Sequence, residues 1–271
     1  MVDSRRTQGI TLVGGGKMGR ALVQGMIASG FTSASNISLS EPNPQACDWW
    51  RRNLPEIRIL DEKGPIADDA EVALIAVKPA IVATVLQRIK QEGHQPLVVS
   101  IAAGITLQTM IDAVGYARVV RVMPNTPSLV GAGASAYCCG QEIDSSDAEL
   151  VENMLTSVGI VQRVDEKWMD AITGLSGSGP AFVCMVIEAL ADGGVLAGLS
   201  RDVAMQFATQ TVMGTAKLVQ QTGTHPAELK DAVASPGGTT IAGIAAAEQA
   251  GLRSALISAV HAAAKRSREL G

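Results

Sequence analysis

Gly9-Ile10-Thr11-Leu12-Val13-Gly14-Gly15-Gly16-Lys17-Met18-Gly19 decides how the first half of the chain folds. The apolar and β-branched run at 10–13 predicts a short buried strand, the glycines that follow a turn, and the residues from Lys17 onward a helix. Gly14, Gly16 and Gly19 thus satisfy G-x-G-x-x-G directly after a strand and at a helix start. In that context Gly14 permits the tight turn, Gly16 lets backbone approach a pyrophosphate and Gly19 allows close packing of helix on strand. The N–H groups at a helix start face an anion. A diphosphate-bearing dinucleotide is the expected ligand, held along Val13, Gly14, Gly15, Gly16, Lys17 and Met18.

Outward from this turn, short apolar runs alternate with helix-like segments. Strands are expected over 9–13, 36–40, near 57–60, and over 72–77, 96–101, 118–123 and 159–164. Helices are expected over 17–29, 43–53, 79–91, 107–114 and 146–157. This alternation is that of a parallel sheet with crossover helices, whose strands are continuously apolar because both faces are covered. Pro124, Pro127, Gly131 and Gly133 predict a loop. From 165 onward only alanine-rich helical patterns follow, interrupted at 174–180, 198–200, 223–226 and 235–238. The expected fold class is α/β: a Rossmann-type doubly wound sheet over 1–164, then an all-helical domain over 165–271. Segments 182–196 and 203–218 are apolar around most of their circumference, which predicts burial against a second subunit.

Glu41 follows the second strand, where a carboxylate accepts a ribose 2′-hydroxyl and repels a 2′-phosphate, a feature of NADH use. Its reading as a turn starter with Pro42 stays open, as does a phosphate site from Ser40, Asn43, Arg51 or Arg52. Val77, Lys78 and the stretch 100–103 lie at strand ends where open α/β sheets bind ligands. Asn125 reads equally as a turn former and as a partner of a nicotinamide amide. Further along, Ser235-Pro236-Gly237-Gly238-Thr239-Thr240 reads as a loop opening a helix. Its N–H groups suit a carboxylate, and the Ser235, Thr239 and Thr240 hydroxyls can orient the group beside it. A capped helix start without a ligand explains that segment equally well by itself.

Composition removes several classes. Lys and Arg number 22 against 26 Asp and Glu, a net charge of −4, so no basic surface is offered to nucleic acid. Residues are 47% hydrophobic and 18% charged, which excludes a disordered chain. Cys47, Cys138, Cys139 and Cys184 have no C-x-x-C spacing and suit reduced thiols in a cytoplasm. His94, His225 and His261 form no metal-binding pattern, and no metal is expected. The opening MVDSRRTQGITLVGGG lacks the features of a secretory leader. The uncharged stretches 122–141 and 171–187 are broken by prolines or by GSGP, so neither is expected to span a membrane.

Six segments then occur in a fixed order: the turn at 14–19, AVKP at 76–79, SIAAG at 100–104, RVMPNTP at 121–127, GLSGSGPA at 174–181 and SPGGTT at 235–240. Together they resemble the pyrroline-5-carboxylate reductase family over nearly the whole chain. The last segment is the most specific, with Pro226, Leu229, Val233, Ser235, Gly238, Thr240, Gly243, Ile244 and Glu248 at the family's signature spacing. Ala247, where the family has a larger apolar residue, and Glu41 depart from the pattern. The resemblance implies hydride transfer from NADPH or NADH to the C=N carbon of 1-pyrroline-5-carboxylate, giving L-proline. It also implies a carboxylate site on Ser235, Gly237, Gly238, Thr239 and Thr240, with Thr240 turned to the ring nitrogen as hydrogen-bond partner or proton relay. The nucleotide would lie along 13–18 and near Glu41, Val77, Lys78 and Ala103. Two subunits would pair through the helical domain, and such dimers often form rings. Glu41 argues for NADH and the resemblance for NADPH. A β-hydroxyacid reductase would need a catalytic lysine in the helical half, and Lys217 and Lys230 lie in no such motif. A nucleotide-sensing regulator would have lost the carboxylate loop, which is intact.

Overall fold

A computed structural model of the chain describes residues 9–61, 64–66 and 70–270. The first eight residues, which begin the stretch read as lacking a leader pattern, lie outside the described residues. Strands β1 (Ile10–Val13), β2 (Ile37–Ser40), β3 (Arg58–Ile59), β4 (Val72–Ile75), β5 (Leu97–Ser100), β6 (Val119–Met123), β7 (Gly133–Cys139) and β8 (Gly159–Arg163) form one sheet. Their order is β3-β2-β1-β4-β5-β6-β7-β8. The first six are parallel, β7 is antiparallel to β6, and β8 is parallel to β7. The order reverses between β1 and β4, so ligands are received at the carboxyl ends of these strands.

Helices α1 (Lys17–Ala28), α2 (Pro44–Asn53), α3 (Pro79–Glu92), α4 (Leu107–Val114) and α5 (Ser145–Thr156) are the crossovers. Successive residues of a strand point to opposite faces. Leu12, Leu39, Leu74 and Val99 accordingly pack in one layer with Leu22 and Trp50. Val13, Ile75 and Val98 pack in the other with Leu86 and Ile89. Local chemistry starts the helices: the Asn43 side chain accepts the Gln45 N–H at 2.9 Å, that of Thr106 the Thr109 N–H at 3.1 Å, and that of Asp144 the Asp147 N–H at 2.8 Å.

Two expectations need correction. Gly133, expected in a loop, opens β7, whose Gly-Ala-Ser-Ala-Tyr-Cys-Cys sequence is buried between β6 and β8. Small residues give that strand little β-propensity, and pairing on both edges supplies what propensity does not. The expected break at 174–180 is instead a short π-helical stretch, Thr173–Gly177, leading from α6 (Met169–Ile172) toward α7 (Gly179–Leu196). There the Thr173 hydroxyl donates to the Met169 carbonyl at 2.8 Å and the Ser176 hydroxyl to the Ile172 carbonyl at 3.1 Å.

The chain divides into two units, Met1–Gly177 with Ala263–Gly271, and Ser178–Ala262. This division falls later than the composition change at 165. Met169 is buried with Ala136 and Cys138, and the buried Arg121 pairs with Glu166 at 3.1 Å and Asp170 at 3.8 Å. Asp170 also accepts the Ser267 hydroxyl at 2.7 Å, which draws the end of α11 (Leu252–Leu270) into the first unit. The second unit holds α7, α8 (Arg201–Thr222), α9 (Pro226–Ala232), α10 (Thr239–Gln249) and the start of α11. Helices α7 and α8 meet through Ala191, Ala204 and Ala208, while Met185 and Phe207 on the same helices are 67% and 66% exposed.

Candidate active site

The glycine turn is stitched into the sheet before α1 begins. The Gly14 N–H donates to the Ser40 carbonyl at 2.9 Å, and Gly14 takes φ +99°, where a side chain is strained. A Cβ there would also lie 2.7 Å from the Ala76 carbonyl oxygen. At Gly19 a Cβ would lie 2.7 Å from the Gly14 carbonyl oxygen, so that glycine sets the approach of helix to turn. Gly16 is different: a Cβ there would meet nothing within 4 Å. It is exposed at the N-cap of α1, with no side-chain cap and no acidic residue in the first turn. The backbone donors that open α1 are therefore free to face an anion.

Glu41 closes the other side of the turn. Its Oε2 accepts the Gly15 N–H at 2.7 Å and its Oε1 the Asn43 N–H at 2.8 Å. The Gly15 carbonyl accepts both the Trp50 Nε1–H and the Arg20 Nε–H, each at 3.1 Å. The Arg20 guanidinium in turn lies 4.1 Å from the centre of the Trp49 ring. Beneath the turn the Cys47 thiol donates to the Glu41 carbonyl at 3.1 Å, and burial, followed by the Glu41 charge, raises its pKa. Val77 abuts Gly14, Lys78 is exposed at the N-cap of α3, and Ala103 is exposed after β5. Val13, Gly14, Gly15, Gly16, Lys17, Met18, Glu41, Val77, Lys78 and Ala103 thus gather at the carboxyl ends of β1, β2, β4 and β5.

In the second unit, Gly237 takes φ +67° and the Gly238 N–H donates to the Ser235 carbonyl at 3.1 Å. Gly238 is the N-cap of α10 and has no side-chain cap. The Ser235 hydroxyl lies where a Cβ on Gly238 would project, so a larger residue there would have to turn that hydroxyl aside. Thr239 is exposed and Thr240 half-buried. His225 is spent on structure: its Nδ1 accepts the Ala227 N–H at 3.2 Å and caps α9.

Residues 166–270 match the family model described as pyrroline-5-carboxylate reductase dimerisation, and residues 9–104 the one described as NADP oxidoreductase, coenzyme F420-dependent. A pyrroline-5-carboxylate reductase of Synechocystis sp. is 44% identical over 260 residues, covering 96% of this chain and 97% of the relative. The chain belongs to the pyrroline-5-carboxylate reductase family. Two solved members are similar throughout. The pyrroline carboxylate reductase of Plasmodium falciparum, solved with NADP bound, has a TM-score of 0.88 at 32% identity and covers 97% of this chain and 98% of its own. That of Coxiella burnetii has a TM-score of 0.89 at 33% identity, covering 98% and 99%.

Within this pyrroline-5-carboxylate reductase fold, the turn suits the diphosphate of a dinucleotide. Open space beside Gly16, free donors at the start of α1 and an exposed Lys17 are what an anion requires. The Asn125 side chain is held by backbone groups at both ends. Its Nδ2 donates to the Ser176 carbonyl at 3.1 Å and its Oδ1 accepts the Ala134 N–H at 2.9 Å, so it ties β7 to the π-helical stretch. Sequence reasoning missed Arg20 and Trp50, which bond to the turn from α1 and α2. The only visible signal was the Trp49-Trp50 pair in a helix otherwise rich in polar residues.

Proposed function

We propose that this chain reduces the C=N bond of 1-pyrroline-5-carboxylate to give L-proline, the last step of proline biosynthesis, using a nicotinamide dinucleotide. The observation that carries the reading is the uncapped start of α10, where Ser235, Gly237, Gly238, Thr239 and Thr240 present N–H and hydroxyl groups suited to a carboxylate. When bound, the reduced nicotinamide supplies the hydride that the imine carbon accepts. The chain's own groups do the rest. Backbone donors from Gly16, Lys17 and Met18 hold the diphosphate, and those from Gly237 onward hold the substrate carboxylate. The Thr240 hydroxyl orients the ring by a hydrogen bond at its nitrogen and keeps the proton there. A protonated imine is already electrophilic, so positioning serves where other reductions need a histidine acid.

Glu41 supports NADH as the preferred nucleotide, because its carboxylate is fixed at the end of β2 and opposes a 2′-phosphate. Residues 1–164 hold the dinucleotide, and residues 165–271 bind substrate and pair two copies. The exposed Met185, Leu190, Phe207 and Met213 on α7 and α8 lie in the span matched by the dimerisation model and are buried in that pair. Purified protein should oxidise NADH or NADPH, followed at the nicotinamide absorbance, only when pyrroline-5-carboxylate is present. Tight nucleotide binding without such oxidation would overturn the reading.

A further inference from the structure

We infer that Trp50 is a positioning residue of the dinucleotide turn, and that position 15 is glycine because of it. The second place of G-x-G-x-x-G carries no demand from the nucleotide. Here a Cβ on Gly15 would lie 2.5 Å from Trp50 Nε1 and 3.2 Å from its Cδ1. Gly15 is not among the positive-φ glycines, so the indole imposes the glycine and the backbone does not. The same Nε1–H donates to the Gly15 carbonyl at 3.1 Å, from a ring with no exposed surface. Glu41 holds the N–H of Gly15, and Arg20 gives its carbonyl a second donor. The peptide groups before Gly16 are thus fastened to β2 and α2, which leaves the donors at the start of α1 aimed outward. Such a turn needs little ordering when the anion binds, and removing the indole N–H restores part of that cost.

This inference rests on the reading of the turn as the diphosphate site, and the test separates the two. Trp50→Phe keeps an aromatic ring in the core and removes the donor. Calorimetric titration should show the Kd for ADP, NADH and NADPH rising about three- to tenfold, the effect of one buried hydrogen bond. The Kd for adenosine, which lacks the diphosphate, should stay the same. In steady-state assays the nucleotide KM should rise, while kcat at saturation and the KM for pyrroline-5-carboxylate change by less than about twofold. Gly15→Ala, which leaves Trp50 itself unaltered and crowds its indole from the turn side, should reproduce the rise in nucleotide Kd. The double variant should be no weaker than the worse single one, since both remove the same contact. An unchanged ADP Kd in Gly15→Ala or in folded Trp50→Phe overturns the inference, as do additive effects in the double variant. A wild-type protein that binds neither ADP nor either dinucleotide overturns the diphosphate reading itself.

Discussion

The Glu41 carboxylate accepts the Gly15 N–H at 2.7 Å, so the acidic side chain that ends β2 is also a fastener of the glycine turn. Its other oxygen takes the Asn43 N–H, which holds a negative charge in place where an adenosine ribose would come. Glu41→Gln removes the charge and retains one acceptor oxygen. The ratio of kcat/KM with NADPH to that with NADH should rise about tenfold, equivalent to about 1.4 kcal/mol. Initial rates with the two nucleotides measure it; an unaltered ratio would take discrimination away from Glu41.

Gly14 and Gly16 should respond oppositely to a side chain. Gly16→Val meets open space, so the protein should keep its Tm and lose dinucleotide affinity by about a hundredfold or more. Gly14→Ala combines a left-handed backbone with a close approach to the Ala76 carbonyl and should lower Tm instead. Thermal denaturation paired with nucleotide titration separates the two, and Gly16→Val that binds normally would contradict the anion assignment.

Thr240→Ala should lower kcat with pyrroline-5-carboxylate by about a hundredfold, as expected for a group that holds a proton or hydrogen bond at the reacting centre. Its affinity for NADH should match the wild type, since the dinucleotide turn is in the other unit. Unchanged turnover would remove Thr240 from the mechanism.

Phe207→Glu places a charge on a residue that is 66% exposed in the single chain and lies in the region matched to dimerisation. Sedimentation should give a dimer for the wild type, or an even multiple if dimers associate in a ring, and a monomer for the variant. A wild-type monomer would disprove the pairing.

Asp144 provides a pH test. Its carboxyl is held below the ordinary 3.8, first by the Asp147 N–H and then by the Ser146 hydroxyl. The folded state thus favours the ionised form, and the stabilisation is present above 3.8 and lost as pH falls through the lowered folded value. The Tm of Asp144→Ala should lie below that of wild type at neutral pH, and the gap should close in acid. A gap independent of pH would show that the cap acts through something other than its charge.

The doubly wound sheet was legible because its signals are local: apolar runs such as Val72–Ile75, the glycines after Val13, and Asn43 or Thr106 before helices. Strand β7 was not, since Gly133–Cys139 owes its conformation to neighbours on both edges and offers small residues to a propensity rule. The π-helical stretch escaped for a related reason: Thr173 and Ser176 bond backward to carbonyls four residues earlier, which no glycine count reveals. At the site, the strand-end residues followed from topology. The hold of Trp50 on Gly15 spans 35 residues and depends on how α2 packs, so it becomes visible only in three dimensions.

The hydrogen bond from Ser267 to Asp170 bears on how this protein can be taken apart or rebuilt. Because the chain's last residues belong to the first unit, the second unit is an insertion with two junctions, near 177 and near 262. A single cut cannot release it as a separate polypeptide, and a chimera that exchanges it with a relative needs two splice points. Deleting residues 263–271 to trim an apparent tail would strip a partner from Asp170, and with it part of the surroundings of the buried Arg121.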